Sequence, residues 1–458
     1  MYRPGETPRT GRSVCRHRRD LRRNMRFMSV FSAFRHQARR YNSPLMLDFG
    51  DLGRPASRLA LCSIAMLLLA GTSCVNAGSQ PLLALAQQSA APLVHASDKG
   101  RAFTVRFPVS DTVEQGLGQR LDREISRVAE HGFSGAILVG TSNRIILAKG
   151  YGFADRRARR LFTSRTVYDM GSITKNFTAG AIMKLQMQGK LQVSDRIDKF
   201  FSDVPADKRA ITIEQLLTHS AGLVDSLGDD YTDQVTRDQF VQRALHSALI
   251  HKPGERYDYS NVGYSLLGII IEITSGKSYE SYLREALFEP AGMTETGYVL
   301  AHWDRRRLTH TYLEGADNGT ALDHPWASDG PYWNLKTNGG LLTTLSDMYR
   351  WHLALLGDSI FPPSVLADYL APRVHQVSKD GYYGYGWVVL KSQHGTRLVH
   401  HDGGDEYFLS RFNRYLDDDI VVIWTTNDVN RLSKVTEELK LPRFDKWLEQ
   451  LIFDRVTQ

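Results

Sequence analysis

Cysteine is scarce in this 458-residue chain, and its placement removes it from consideration. Cys15, Cys62 and Cys74 are the only three, all before residue 77. The remainder has no disulfide to stabilise it, no thiol nucleophile and no cysteine ligand for zinc. Missing too are His-Glu-x-x-His, a P-loop, Gly-x-Gly-x-x-Gly after a strand and a Gly-x-Ser-x-Gly elbow. Those absences count against metallopeptidase, nucleotide-binding and α/β-hydrolase chemistry. No apolar run reaches the roughly 18 residues that a bilayer-spanning helix needs. Excess positive charge is also missing where it would matter. The net charge is +7, but residues 1–45 hold twelve arginines against Glu6 and Asp20, and residues 46–77 balance. From residue 78 onward the chain therefore carries −3, which is no footprint for nucleic acid.

What is present begins with an apolar dozen, Leu59 to Ala70, preceded by Arg54 and Arg58 and followed by small residues ending Val75-Asn76-Ala77. A basic start, a short apolar centre and a small-x-small end make a secretory leader over 46–77, with cleavage after Ala77. Lipid attachment at Cys74 is the rival, set back by Gly71 where an aliphatic residue is expected. Residues 1–45 read as an over-long gene start or a disordered extension. An arginine-rich organelle transit peptide is the alternative. The expected location is exported, periplasmic or secreted, with no membrane span in the mature form.

Residues 78–110 read as a linker and 111–458 as one folded domain. With 42% apolar and 23% charged residues, the chain has the composition of a soluble globular protein. Val113, Leu117, Leu121, Ile125 and Val128 predict a first helix ending at Gly132. Ala136–Val139 and Ile145–Ala148 flank the turn-like Thr141-Ser142-Asn143 and predict a hairpin. Ile213–His219, Gln239–Leu249 and Val262–Thr274 read as helices. Gly386–Lys391, Arg397–His401, Phe408–Tyr415 and Ile420–Thr425 read as strands, followed by one terminal helix through Leu432, Val435, Leu439, Trp447 and Leu451. Strands at both ends with helices between predict an α/β fold of the α+β type. One antiparallel sheet is assembled from the two ends, with an all-α lobe inserted.

Three segments carry chemistry. Gly171-Ser172-Ile173-Thr174-Lys175 opens a predicted helix and contains the only Ser-x-x-Lys of the chain. A spacing of three puts both side chains on one helical face. A serine hydroxyl becomes a nucleophile when a neighbouring base takes its proton. Lys175 can be that base if burial lowers its pKa from ~10.4 toward neutrality. Free N–H groups at the helix start favour a developing oxyanion. Alone, such a pair is more often a surface lysine on a capped helix. The second segment, Tyr257-Asp258-Tyr259-Ser260-Asn261, leads into an apolar helix. Its phenol at Tyr259 can shuttle a proton and the Asn261 amide can hold a substrate carbonyl. Tyr332-Trp333-Asn334 has the same spacing and is kept in reserve. The third, His400-His401-Asp402-Gly403-Gly404, ends a strand. Its glycines admit a close backbone approach, with the Gly404 N–H completing an oxyanion hole begun by Ser172.

Taken in order, Ser172-Ile-Thr-Lys175, Tyr259-Ser-Asn261 and His401-Asp-Gly403 resemble the signature elements of the class C β-lactamase and D-Ala-D-Ala peptidase superfamily. Ile211-Thr-Ile-Glu-Gln-Leu-Leu-Thr-His-Ser-Ala-Gly-Leu223 and Thr337-Asn-Gly-Gly-Leu-Leu-Thr-Thr344 fit as well. The similarity runs from about 111 to 455. The resemblance implies a five-stranded antiparallel sheet flanked by helices, with the site between it and an all-α lobe. It also implies an acyl-enzyme at Ser172, no metal or organic cofactor, and a base role shared by Lys175 and Tyr259. His401, Asn261, Gly403 and Gly404 become the substrate-binding residues. Many β-lactamases have Lys-Thr-Gly as the third element. A neutral histidine there, with Asp402, Asp405 and Glu406 close by, disfavours a carboxylate-bearing substrate. The expected substrate is a small neutral or cationic ester, amide or peptide, and no nucleic acid. A D,D-peptidase or β-lactamase is the alternative within enzymes, and a non-catalytic binding or scaffold protein the alternative outside them. Oligomeric state is not legible.

Overall fold

Segments nearly 300 residues apart lie side by side in this molecule. The computed structural model describes residues 110–301, 303–376 and 380–454. The extension at 1–45, the leader at 46–77 and all but the last residue of the linker at 78–110 lie outside the described residues. β1 (Thr112–Val113), β2 (Gly135–Gly140) and β3 (Ile145–Tyr151) come from one end. β4 (Val374–His375), β5 (Gly381–Tyr383), β6 (Val388–Lys391), β7 (Arg397–Gly404), β8 (Leu409–Tyr415) and β9 (Ile420–Thr426) come from the other. They form one sheet in the order β1-β3-β2-β9-β8-β7-β6-β5-β4, every pair antiparallel. The two ends join at β9–β2, where Ile423 stands opposite Leu138.

Five strands were expected, and the described residues place nine in this sheet. The five long ones, β3, β2, β9, β8 and β7, make the centre, and pieces of two to four residues blunt the edges. The predicted hairpin is the β2–β3 pair.

Among the described residues the α-helices are α1 (Leu117–Glu130), α2 (Thr174–Met187), α3 (Ile213–Leu217), α4 (Arg237–His246), α5 (Asn261–Ser275), α6 (Tyr279–Leu283), α7 (Leu345–Ala354), α8 (Pro363–Tyr369), α9 (Val429–Glu438) and α10 (Phe444–Phe453). Alternation along the strands sends neighbours to opposite faces. Ala136, Leu138, Phe412, Val421 and Ile423 join the larger core with the inserted helices. Ile137, Val139, Tyr415, Val422 and Trp424 join a smaller core under α1, α9 and α10. α2 packs against α5, and α7 against β9 and β2. The chemistry-bearing helix is thereby held between sheet and lobe.

Two local expectations fail for identifiable reasons. Val113 belongs to β1, opposite Leu147, and the helix starts only after Gly116, whose φ of 75° breaks the segment. The single terminal helix is two, α9 and α10. Lys440 adopts a left-handed φ of 54°, and Pro442 follows two residues later. No helix among the described residues is long and apolar enough to cross a membrane.

Candidate active site

Ser172 sits in a 3₁₀ turn, Gly171–Ile173, that runs directly into α2. That turn is fastened to the sheet by backbone and by one carboxyl group. Asp169 Oδ1 accepts the Gly171 N–H at 2.7 Å, and Ser410 Oγ on β8 donates to the Asp169 carbonyl at 3.0 Å. Gly171 has φ 53°, and any Cβ at Gly403 would collide with Met170 O and Ser172 N. The glycine of β7 is therefore required by contact with the serine's own turn. Burial raises the Asp169 carboxyl to about 7 against the lowering effect of the Gly171 bond. Ser172 stays half-buried while the first two turns of α2 are enclosed.

Lys175 is fully buried, and its Nζ lies 3.0 Å from Ser172 Oγ. Two further acceptors surround the amine, Asn261 Oδ1 at 2.8 Å and the Asn338 carbonyl at 2.7 Å. Burial lowers its pKa to about 7, although Asp225 and Asp230 pull the other way. A neutral amine has two N–H bonds and one lone pair. With the amide and carbonyl oxygens taking the hydrogens, the lone pair is left for the serine hydroxyl.

Tyr259 lies beside this pair. Its hydroxyl hydrogen-bonds with the Ser172 side chain, and Lys175 Nζ is 4.9 Å from its ring centre. Burial holds the phenol well above its ordinary pKa, so it stays protonated. The loop carrying it is ordered by His219, a residue that sequence reasoning quoted but gave no role. His219 is buried with φ 55°, its Nδ1 accepts the Ser260 N–H at 3.1 Å, and its ring centre is 4.2 Å from that of Tyr259. Burial, with Lys175 and His401 nearby, keeps it neutral. Asn261 uses its oxygen on Lys175, and its Nδ2 donates to Asp225 Oδ1 at 3.1 Å. The amide thus orients the base, and its remaining N–H is what a substrate carbonyl can use.

His401 is buried in the site wall. Its Nε2 meets the Tyr383 hydroxyl at 2.8 Å and its Nδ1 the Asp402 carbonyl at 2.6 Å. The Asp402 carbonyl, which can only accept, assigns a proton to Nδ1. The backbone of Gly403 and Gly404 is against the nucleophile's turn, as the Cβ contacts of Gly171 and Gly403 show. The reserve pair goes elsewhere: the Tyr332 hydroxyl donates to Gln234 Oε1 at 3.3 Å, and Asn334 Nδ2 reaches the Asp229 carbonyl at 3.2 Å. Two of the three acids following His401 are also partly spent. Asp402 pairs with Arg411 at 3.6 Å, and Asp405 accepts the N–H groups of Tyr407 and Phe408. Among the described residues no cluster of three or more His, Cys, Asp or Glu is placed to hold a metal ion.

Fold and site together define a serine hydrolase of the acyl-enzyme class. A family model described as Beta-lactamase matches residues 112–441, and the chain belongs to that family. Penicillin-binding protein 4* of Bacillus subtilis (strain 168) is 28% identical over 313 residues, covering 65% of this chain and 69% of that protein. The octameric penicillin-binding protein homologue from Pyrococcus abyssi has a TM-score of 0.60 at 26% identity, over 74% of this chain and 80% of its own. D-amino acid amidase from Ochrobactrum anthropi SV3, complexed with D-phenylalanine, has a TM-score of 0.60 at 19% identity, over 73% and 98%. At that identity the likeness is one of fold.

Proposed function

We propose that this chain is an exported hydrolase that forms a covalent acyl-enzyme at Ser172 from small neutral or cationic esters or amides. The observation that carries the reading is the buried Lys175 amine, 3.0 Å from Ser172 Oγ and poised near neutrality. In its neutral form Lys175 takes the hydroxyl proton as Ser172 Oγ attacks the substrate carbonyl carbon. The oxyanion is met by the N–H groups of Ser172 and Gly404. Tyr259 remains a phenol, so it delivers a proton to the leaving oxygen or nitrogen and is replenished from Lys175. Water then attacks the acyl-enzyme by the same route in reverse.

The substrate class follows from what the third element lacks. His401 has both ring nitrogens engaged inside the protein. It supplies no fixed cation for a carboxylate. The absence of that cation, more than repulsion from Asp402 and Asp405, disfavours an anionic substrate.

A fluorophosphonate probe, read by intact mass, is expected to add one label to the wild type and none to Ser172→Ala. Label retained by Ser172→Ala would overturn the assignment. Similarity to a penicillin-binding protein keeps D,D-peptidase activity as a second reading. Turnover of a D-Ala-D-Ala peptide or a chromogenic cephalosporin faster than of simple esters would favour it. A protein that binds all three without labelling would be a scaffold.

A further inference from the structure

A second buried cation lies on the same face of the sheet as Phe412, far from the reacting atoms in role. Arg414 on β8 is 1% exposed. Its Nε donates to His352 Nδ1 on α7 at 3.2 Å, and the guanidinium carbon is 6.0 Å from the Trp387 ring centre. Among the described residues its Nη1 is buried without a hydrogen-bond partner. Among the described residues no carboxylate pairs with Arg414. The charged neighbour that bears on it is Arg397, of the same sign, whose Nη2 donates to the Leu370 carbonyl at 3.2 Å.

His352 gives no counter-charge. Burial and the adjacent guanidinium hold it neutral. Because its Nδ1 accepts from Arg414, its proton is on Nε2, and that N–H is also buried and unpartnered among the described residues. A guanidinium cannot escape burial by losing its proton as a lysine does. An uncompensated cation in an apolar interior is strongly unfavourable. Arg414 therefore combines a fixed positive charge with an orphaned Nη1 donor, which is the complement of an anion.

We propose that Arg414 is the centre of an internal anion site that binds a small monovalent inorganic ion of the halide class, with Nη1 as its principal donor. The neighbouring wall is the Trp387 ring, on which Tyr369 and Phe412 pack with ring-centre distances of 5.8 and 5.7 Å. Such walls favour a weakly hydrated single-atom ion over sulfate or phosphate, whose dehydration costs more. The site bears on the catalytic helix only indirectly: the Tyr369 hydroxyl donates to the Asn176 carbonyl of α2 at 2.5 Å. The bound ion is a structural part and touches no substrate.

The test compares thermal unfolding of the purified full chain in sodium chloride and in sodium gluconate at equal ionic strength. Wild type is expected to gain about 2 °C or more in chloride, saturating with concentration as mass action requires. His352→Asp places a carboxylate beside Arg414 Nε, so its Tm should be the same in both salts. Arg414→Met should also lose the chloride increment. Equal wild-type values in the two salts, or an undiminished increment in Arg414→Met, would overturn the site. Should both variants fail to fold, wild-type crystals soaked in bromide decide the matter. An anomalous peak within about 3.5 Å of Arg414 Nη1 supports the proposal, and its absence there refutes it.

Discussion

Lys175 and Arg414 are both cations enclosed on the same side of one sheet, 0% and 1% exposed, and they have opposite fates. Burial lowers both, Lys175 to about 7 and Arg414 to about 10. The amine has three oxygen partners, and burial brings its neutral form within reach near pH 7. The guanidinium donates to a histidine nitrogen and remains charged. Enclosure thus turns a lysine into a base, whereas an arginine in the same medium becomes a permanent field in search of a counter-ion.

The comparison breaks most sharply if the two chemistries are exchanged. Lys175→Arg keeps the charge and removes the titration, so phosphonate labelling of Ser172 should slow by on the order of 10³-fold or more, measured by time-resolved intact mass. Tyr259→Phe removes the proton relay and leaves the base. It should cost about 10²-fold in ester turnover, with a larger loss for amides, whose leaving group depends more on protonation. The wild-type labelling rate should rise about tenfold per pH unit below 7 and level off above it, because only neutral Lys175 takes the serine proton. A plateau beginning near 10 would mean that the amine is not buried as described.

Asp169 gives a smaller effect of known sign. Its carboxyl is raised from 3.8 to about 7, so the folded state holds the proton more tightly than the unfolded one. Its contribution to stability is complete below pH 4 and is lost as pH rises to 7. Asp169→Asn keeps an acceptor for the Gly171 N–H without titrating. Its urea-unfolding free energy should fall less steeply than that of wild type across that window. Smallest of all, Arg414→Met should change the labelling rate by less than about twofold, since Arg414 acts on the fold and not on the reacting atoms.

The parts of the site that could be read from sequence are those set by local spacing. Ser172 and Lys175 are one helical turn apart, and Tyr259 and Asn261 flank a single capping serine whose Oγ accepts the Gly263 N–H. Residues brought in by long-range folding could not be read this way. The Asn338 carbonyl comes from 163 positions beyond Lys175, and a backbone oxygen leaves no mark in the side-chain pattern. Tyr383 meets His401 only because β5 and β7 share a sheet. The histidine was consequently expected to face the substrate, whereas its nitrogens are used within the wall. The Tyr332 pair had the right spacing but the wrong address, which shows that spacing without tertiary context does not choose between equals. The overall architecture was legible because apolar alternation at both ends and helical periodicity between them are strong signals. The short edge strands were not, since two or three residues carry no period.

The pairing of β9 with β2 has a consequence for biogenesis. A ribosome makes residues 135–140 long before residues 420–426, and the central seam of the sheet cannot close until the later strand has emerged. The nucleophile's turn, which leans on β7 and β8, must wait for nearly the entire polypeptide. Premature termination before that point would leave the nucleophile's turn without the strands it leans on.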